Sequence, residues 1–120
     1  MKFNIAFDFD GVIHSYTSGW QGEGVVPDPP VPGIKESIEA LRAAGYEVVV
    51  VSARANSHTG TMAIADYLKK HGIEVDQITN HKPPALVYVD DRAICFDGNA
   101  AGLVEKIINF RPWNAKEEKA

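Results

Sequence analysis

An apolar run near the start of the chain ends in two closely spaced carboxylates, and this segment most constrains the fold. Residues 2–11 read Lys-Phe-Asn-Ile-Ala-Phe-Asp-Phe-Asp-Gly, so a strand is predicted to carry Asp8 and Asp10 at its carboxyl end. A carboxylate removed from water needs a cation or several hydrogen-bond donors. The pattern therefore predicts a polar crevice at this strand end, although two aspartates there could also simply cap a turn.

Strand and helix patterns alternate along most of the remaining chain. The predicted helices span 33–45, 62–72 and 100–108, and the predicted later strands are 47–51, 75–78, 85–89 and 94–96. The continuous β-branched run at 47–51 is typical of a strand that is covered on both faces. This alternation predicts an α/β domain with a mainly parallel, five-stranded sheet and helices on both faces.

Two segments fall outside this alternation. Residues 11–32 are rich in glycine and proline and are predicted to form a flap-like loop, with a short hairpin within 15–26. The tail, 111–120, is polar apart from Trp113, which is expected either to pin the tail or to mark a subunit contact. With no repeat, linker or low-complexity segment, residues 1–120 are expected to form one domain.

Composition argues against several classes of function. A net charge of −4 gives no electrostatic case for nucleic-acid binding. No apolar stretch approaches the roughly 20 residues that a membrane helix needs, and Asp8 and Asp10 interrupt the first run before it could serve as a signal sequence. The single cysteine, Cys95, excludes an internal disulfide and fits a reducing compartment. A cytoplasmic protein is therefore expected, without a membrane partner.

Polar side chains follow three of the predicted strands at the point where each strand ends. They are Asp8 and Asp10, then Ser52, then Asp90 and Asp91. Because the carboxyl ends of parallel strands meet at one edge of a sheet, these side chains are expected to lie close together. Several carboxylates there would repel each other unless a cation joined them, and oxygen ligands of this kind suit Mg²⁺.

This constellation predicts phosphoryl chemistry. A Mg²⁺ ion, the Ser52 hydroxyl and the Lys82 ammonium would together neutralise a phosphoryl group. Asp8 could then attack phosphorus in line to give an aspartyl-phosphate, and Asp10 could protonate the leaving oxygen and later activate water. Lys82 lies in a short connector, so its reach is an open question, and Arg54 is a second candidate for the phosphate because it offers a bidentate fork.

Taken in order, these residues resemble the four motifs of the haloacid dehalogenase-like phosphohydrolases. The motifs are Asp8-Phe9-Asp10-Gly11-Val12, Ser52, Lys82, and Asp90-Asp91. The resemblance implies a Rossmann-like, three-layer α/β/α fold with strand order 5-4-1-2-3. It also implies that Asp8 is the nucleophile and Asp10 the acid/base. Mg²⁺ would bind the Asp8 carboxylate, the Asp10 main-chain carbonyl, and Asp90 or Asp91.

The resemblance further points to a phosphatase without a cap domain. Aspartate at the position of Asp10 is usual in the family's phosphatases, and the gaps between the motifs are too short to hold a cap. An open site implies a phosphorylated small molecule, a phosphate exposed on a larger substrate, or a homo-oligomer whose neighbour supplies the lid. Tyr16 and Trp20 could stack on a sugar or base, or could pack the loop.

Two other functions share parts of this pattern. A signalling receiver domain also has a phosphorylated aspartate, a hydroxyl residue and a lysine, but its acidic pair closes the first strand and its lysine follows the last. Here Asp8 and Asp10 come first, and the acidic pair Asp90-Asp91 comes after Lys82. A catalytically silent binding protein of the same fold is expected to lack the nucleophile or the acid, and neither is lost.

Overall fold

Strand β1, Asn4–Asp8, lies inside a parallel sheet of four strands. In the computed structural model, which describes residues 3–115, the sheet order is β3-β2-β1-β4. The elements are β1 (Asn4–Asp8), α1 (Ile34–Ala43), β2 (Glu47–Val51), α2 (His58–Lys70), β3 (Gln77–Thr79), β4 (Val87–Val89) and α3 (Leu103–Ile108). The predicted α/β alternation, the parallel pairing and the order of these four strands are confirmed.

One face of the sheet carries the hydrophobic core. Ile5 and Phe7 of β1 lie in register with Val48 and Val50 of β2, so the four side chains share a face. The cluster is completed mainly by Ile38 of α1 and by Ile64, Tyr67 and Leu68 of α2. Each such aliphatic or aromatic side chain stabilises the fold by roughly 1.5–3 kcal/mol when it is buried. Both long helices therefore lie against the same face.

The connector between β3 and β4 crosses the opposite face. Residues 80–86 must pass β2 and β1, a distance of about 14 Å for three strand spacings. Seven extended residues reach roughly 23 Å, which suffices for the crossing but leaves no length for a helix. Tyr88, whose ring is on this face, donates a hydrogen bond to the Pro83 carbonyl (2.6 Å). The extended crossing therefore lies against the sheet where a helix would otherwise pack.

The predicted fifth strand at 94–96 is wrong. Ile94, Cys95 and Phe96 are irregular and pair with no strand among the described residues, and Phe96 is 60% exposed. The three-residue strand β4, Val87–Val89, is therefore an edge of the sheet. Helix α3 buries no residue, so it does not supply the second helical layer that the alternation predicted.

The predicted hairpin within 15–26 is also wrong, because these residues form no strand pair. Residues 11–32 are a loop, as expected, whose two ends are joined by an antiparallel bridge between His14 and Pro30. Side-chain hydrogen bonds hold the part between them. Asp28 accepts a hydrogen bond from the Ser18 amide (2.8 Å), ten residues earlier. The Tyr67 hydroxyl of α2 donates to the Asp28 carbonyl (2.9 Å) and fastens the loop to the core.

None of the helices within residues 3–115 is both long enough and apolar enough to cross a membrane.

Gly60 sets how closely α2 approaches the turn after β2. It lies in the first turn of α2, and a Cβ there would overlap the carbonyl oxygen of Arg54. We expect Gly60→Ala to lower the free energy of unfolding by about 1–3 kcal/mol through this overlap, although alanine is the better helix former. Denaturant unfolding measures the change.

Gly24→Ala is the matched control, since a Cβ at Gly24 would meet only the Thr59 methyl group at 3.4 Å. Unfolding free energies for Gly60→Ala and Gly24→Ala that both match the wild type would contradict the close contact.

Candidate active site

The carboxyl ends of β1, β2 and β4 meet around one cavity of about 330 Å³. Asp8 ends β1, Ser52 follows β2 and Asp90 follows β4, and all three line the cavity. Lys82, from the connector, lines it as well. In an open parallel sheet, ligands bind where the strand order reverses, which here is between β1 and β4. The structure thus brings together four of the residues predicted from the sequence.

Asp8, Asp90 and Asp91 form an acidic cluster at this point. Each offers one carboxylate oxygen, and the three oxygens lie within 4.8 Å of one another. The Phe9 amide donates to Asp8 Oδ1 (2.9 Å), which favours the charged form. Burial, a hydrogen bond to Asp91 and repulsion from Asp90 and Asp91 outweigh this and raise the pKa of Asp8 to about 8. At neutral pH the cluster without a cation therefore holds a proton.

The cluster fits a hard divalent cation. Asp91 Oδ1 is buried and has no hydrogen-bond partner among the described residues, a costly state for a carboxylate oxygen. Gly11 lies so close to Asp91 that a Cβ at position 11 would overlap the Asp91 carboxylate. The cluster offers only oxygen ligands, which suit Mg²⁺ better than zinc or copper. Both Asp90 and Asp91 belong to the cluster, so either or both can contribute.

Ser52 and Lys82 stand on the wall of the same cavity. Ser52 Oγ accepts a hydrogen bond from the Arg54 amide (3.2 Å), and the hydroxyl hydrogen is left to donate. The Lys82 ammonium lies 4.2 Å from the centroid of the Tyr88 ring, a cation–π contact that holds the side chain over the sheet. A hydroxyl donor and an ammonium next to three carboxylates can hold the oxygens of a phosphoryl group whose charge a cation also offsets.

Asp10 is engaged with Arg54 and does not line this cavity. Arg54 Nε donates to Asp10 Oδ2 (2.8 Å) and Nη2 donates to Oδ1 (3.1 Å). Arg54 Nη1 donates to the carbonyls of Gly22 and Glu23 at 2.9 and 2.8 Å, and the Trp20 ring lies 4.6 Å from the guanidinium carbon. Arg54, predicted as a second phosphate ligand, therefore holds Asp10 and the loop in this structure and is only 3% exposed.

His14 belongs to the same network as Asp10 and Arg54. The ring is fully buried, and its Nε2 accepts the Asp28 amide hydrogen (3.1 Å). This bond leaves the proton on Nδ1, which donates to Asp10 Oδ1 (2.8 Å). Burial would raise the pKa of Asp10, but the hydrogen bonds from His14 and Arg54 outweigh it and lower that pKa. Asp10 is thus a carboxylate at neutral pH.

Asp28 and Trp113 complete the surroundings of the site. Asp28 was not singled out from the sequence; the available signal was an acidic residue inside a proline-rich segment, where exposure is the ordinary expectation. It is 8% exposed and hydrogen-bonded. The Trp113 indole donates to the Gly11 carbonyl (2.7 Å), so of the two roles considered for Trp113 the structure shows the pin. Residues 116–120 of the predicted tail lie outside the described residues.

The raised pKa of Asp8 makes stability depend on pH and on metal. Because the folded state holds this proton up to about pH 8 and the unfolded state releases it near pH 4, the stability contribution of Asp8 falls as pH rises through that window. We expect Asp8→Asn to stabilise the metal-free protein at pH 8 by about 1–2 kcal/mol, a figure discounted for partial exposure, and to have little effect at pH 4.

Thermal unfolding with and without Mg²⁺ checks this expectation. Mg²⁺ should raise the melting temperature of the wild type and raise that of Asp8→Asn much less. Asp66→Asn on the exposed side of α2 is the control for loss of an aspartate charge. An Asp8→Asn protein that is less stable than wild type at pH 8 without metal would contradict the repulsion inferred within the cluster.

Comparisons with known proteins bear on the fold. Neither a scan against protein-family models nor a search of curated proteins finds a match to this chain. Among solved structures, the chain is similar to a conserved protein from Bacteroides thetaiotaomicron. The TM-score is 0.61 at 18% sequence identity, and the match covers 90% of each chain. At this identity the likeness shows a shared α/β fold and says nothing of a shared activity.

Proposed function

We propose that this protein is a Mg²⁺-dependent phosphatase that hydrolyses a phosphate monoester through an aspartyl-phosphate on Asp8. The observation that carries the proposal is that Asp8, Ser52, Lys82 and Asp90, far apart in sequence, line one cavity at the strand ends. We also propose that the chain is a capless, Rossmann-like member of the haloacid dehalogenase-like phosphohydrolases. The sheet order 4-1-2-3 agrees with the order implied by that resemblance, without its fifth strand.

The proposed metal ligands are the carboxylates of Asp8, Asp90 and Asp91, with the main-chain carbonyl of Asp10. A bound Mg²⁺ supplies positive charge that holds the substrate phosphate and offsets the charge developing on it. With a cation held by these ligands, Asp8 would no longer keep its proton and would be a carboxylate at neutral pH.

In the first half-reaction an Asp8 carboxylate oxygen attacks phosphorus opposite the leaving oxygen. A bond forms between Asp8 and phosphorus while the bond from phosphorus to the leaving oxygen breaks, and its electron pair stays on that oxygen. The Lys82 ammonium and the Ser52 hydroxyl bind the remaining phosphoryl oxygens and stabilise their charge. These groups do not react themselves; they position the phosphoryl group for in-line transfer.

In the second half-reaction water attacks phosphorus and releases inorganic phosphate and free Asp8. Asp10 is suited to accept the proton of this water, because His14 and Arg54 keep it ionised. The same contacts make Asp10 a weak proton donor in the first half-reaction.

The sheet order argues against a receiver domain. Receivers have the order 2-1-3-4-5, in which the first strand lies between the second and third. Here β1 pairs with β2 and β4, and β3 is at the far edge beside β2. A silent binding protein is disfavoured because such a protein is expected to lack the nucleophile or the acid/base, and Asp8 and Asp10 are both present.

We expect the protein to hydrolyse p-nitrophenyl phosphate in the presence of Mg²⁺, with no activity after chelation. Asp8→Asn should lower kcat by at least about 10³-fold, because the variant lacks the nucleophile. Release of p-nitrophenol measures the rate, and the exposed Asp66→Asn variant is the control. Full activity of Asp8→Asn would exclude the covalent mechanism.

Asp10→Asn tests the division of labour between the two aspartates. We expect it to slow p-nitrophenyl phosphate turnover by about 10²–10⁴-fold at the second half-reaction while leaving Mg²⁺ affinity largely intact. Quenched reactions with a ³²P-labelled monoester should then show labelled protein accumulating, since Asp8 still attacks and hydrolysis is slow. Lost Mg²⁺ affinity with intact turnover would reverse the roles assigned here.

A further inference from the structure

A second cavity, of about 440 Å³, opens beside the proposed active site and has no part in the reaction described above. Its walls come from the loop after β1, from the residue that follows Asp91, and from the tail. The residues that matter for its chemistry are Tyr16, Arg92, Phe110 and Arg111. The volume lies within the range of small-molecule sites.

The lining of this cavity is cationic and aromatic in a protein whose net charge is −4. Arg92 and Arg111 both contribute to it, and no carboxylate from residues 3–115 does. The Arg92 side chain forms no ion pair with a carboxylate within residues 3–115. Guanidinium groups bind phosphate by paired hydrogen bonds, and aromatic faces bind planar rings. A ligand that carries both an anionic group and a flat ring would match this lining.

The backbone at Tyr16 is held in a costly conformation at this wall. Tyr16 has φ 62°, the one positive φ of a non-glycine residue in the described part of the chain. For such a residue the left-handed region costs roughly 1–2 kcal/mol. Its ring packs edge-on against His14, with centroids 5.8 Å apart, and so stays at the cavity. Strain of this kind occurs where the surrounding structure fixes a side chain for a ligand.

The cavity and the acidic cluster share a wall. Arg92 directly follows Asp91, and its amide donates to Asp90 Oδ1 (2.8 Å). Gly11 abuts the Asp91 carboxylate on one side and accepts the Trp113 hydrogen bond on the other. Asn114, which lines the cavity, donates to the Ser15 carbonyl (3.1 Å), so the described part of the tail, residues 111–115, is fastened to the loop. The second cavity is thus connected to the acidic cluster through the consecutive residues Asp91 and Arg92.

We propose that this second cavity binds the leaving group of the substrate, and that the leaving group is a nucleotide. The substrate class is then a nucleoside bisphosphate: one phosphate is transferred at Asp8, the second lies on the arginines, and the base stacks on Tyr16 or Phe110. Water and the bisphosphate give inorganic phosphate and a nucleoside monophosphate, so atoms balance without a further reactant. This inference rests on the proposed function for the reaction, but the binding site itself can be tested without turnover.

Calorimetric titration of the Asp8→Asn protein separates binding from catalysis. The ligands are adenosine 3′,5′-bisphosphate, glucose 1,6-bisphosphate, which has two phosphates but no base, and adenosine, which has a base but no phosphate. We expect adenosine 3′,5′-bisphosphate to bind at least about tenfold more tightly than either of the others, since it alone makes both kinds of contact. Adding Arg92→Gln to Asp8→Asn should remove that advantage. Adding Arg42→Gln, a helix α1 residue that lines neither cavity, should keep it.

Steady-state kinetics provides a second test of the nucleotide site, in single variants that retain Asp8. The ratio of kcat/KM for adenosine 3′,5′-bisphosphate to kcat/KM for p-nitrophenyl phosphate should fall about tenfold in Arg92→Gln and stay unchanged in Arg42→Gln.

The outcomes are distinguishable. Equal binding of the two bisphosphates, or an unchanged ratio in Arg92→Gln, would overturn the nucleotide site while p-nitrophenyl phosphate hydrolysis leaves the phosphatase proposal in place. Tight, Arg92-dependent binding in a protein that hydrolyses no monoester would support the nucleotide site and overturn the phosphatase.

Discussion

The buried ion pair between Arg54 and Asp10 is the contact on which the geometry of the site depends. It joins the end of β1 to the turn after β2, and the same guanidinium holds the loop through the Gly22 and Glu23 carbonyls. Such a pair is costly to break from one side, because the remaining charge would stay buried without a partner. Gly60 permits this arrangement by letting α2 approach the backbone of Arg54. Core packing and site geometry are therefore coupled at one residue.

The short connector between β3 and β4 also shapes the site, from the other face of the sheet. An ordinary parallel crossover would use a helix, which would occupy the face that carries Ala6 and Tyr88. Here seven residues with two prolines make the crossing in extended form, and Lys82 lies over the Tyr88 ring at the cavity. The feature that cast doubt on Lys82 in the sequence is thus the one that brings it to Asp8. It also leaves α3 without a sheet face to cover.

The sequence was sufficient to predict the helices and strands with a clear hydrophobic period and the residues that follow the ends of the strands. Asp8, Ser52 and Asp90 could be placed at one edge because parallel strands share that edge. Arg54 could not be placed, because the direction of a side chain one turn beyond a strand depends on packing that no local pattern records. Asp28 was missed for a related reason: its partners Ser18 and His14 lie 10 and 14 residues away, in a loop without periodicity. The predicted strand at 94–96 is absent because three apolar residues do not determine a neighbouring strand with which to pair.

The two aspartates of the first motif differ in charge state although only one residue separates them. Alternation along the strand directs Asp8 to the acidic cluster, where burial and other carboxylates raise its pKa to about 8. Asp10, past the strand end, meets Arg54 and His14, which lower its pKa. An active site can give two neighbouring carboxyl groups different tasks when their environments move their pKa values in opposite directions. Under the proposed mechanism the assignment also depends on a cation: without one, the proposed nucleophile Asp8 is the aspartate that keeps its proton at neutral pH. Metal binding would therefore do more than hold the phosphate, since it would convert Asp8 to the ionised form that can attack.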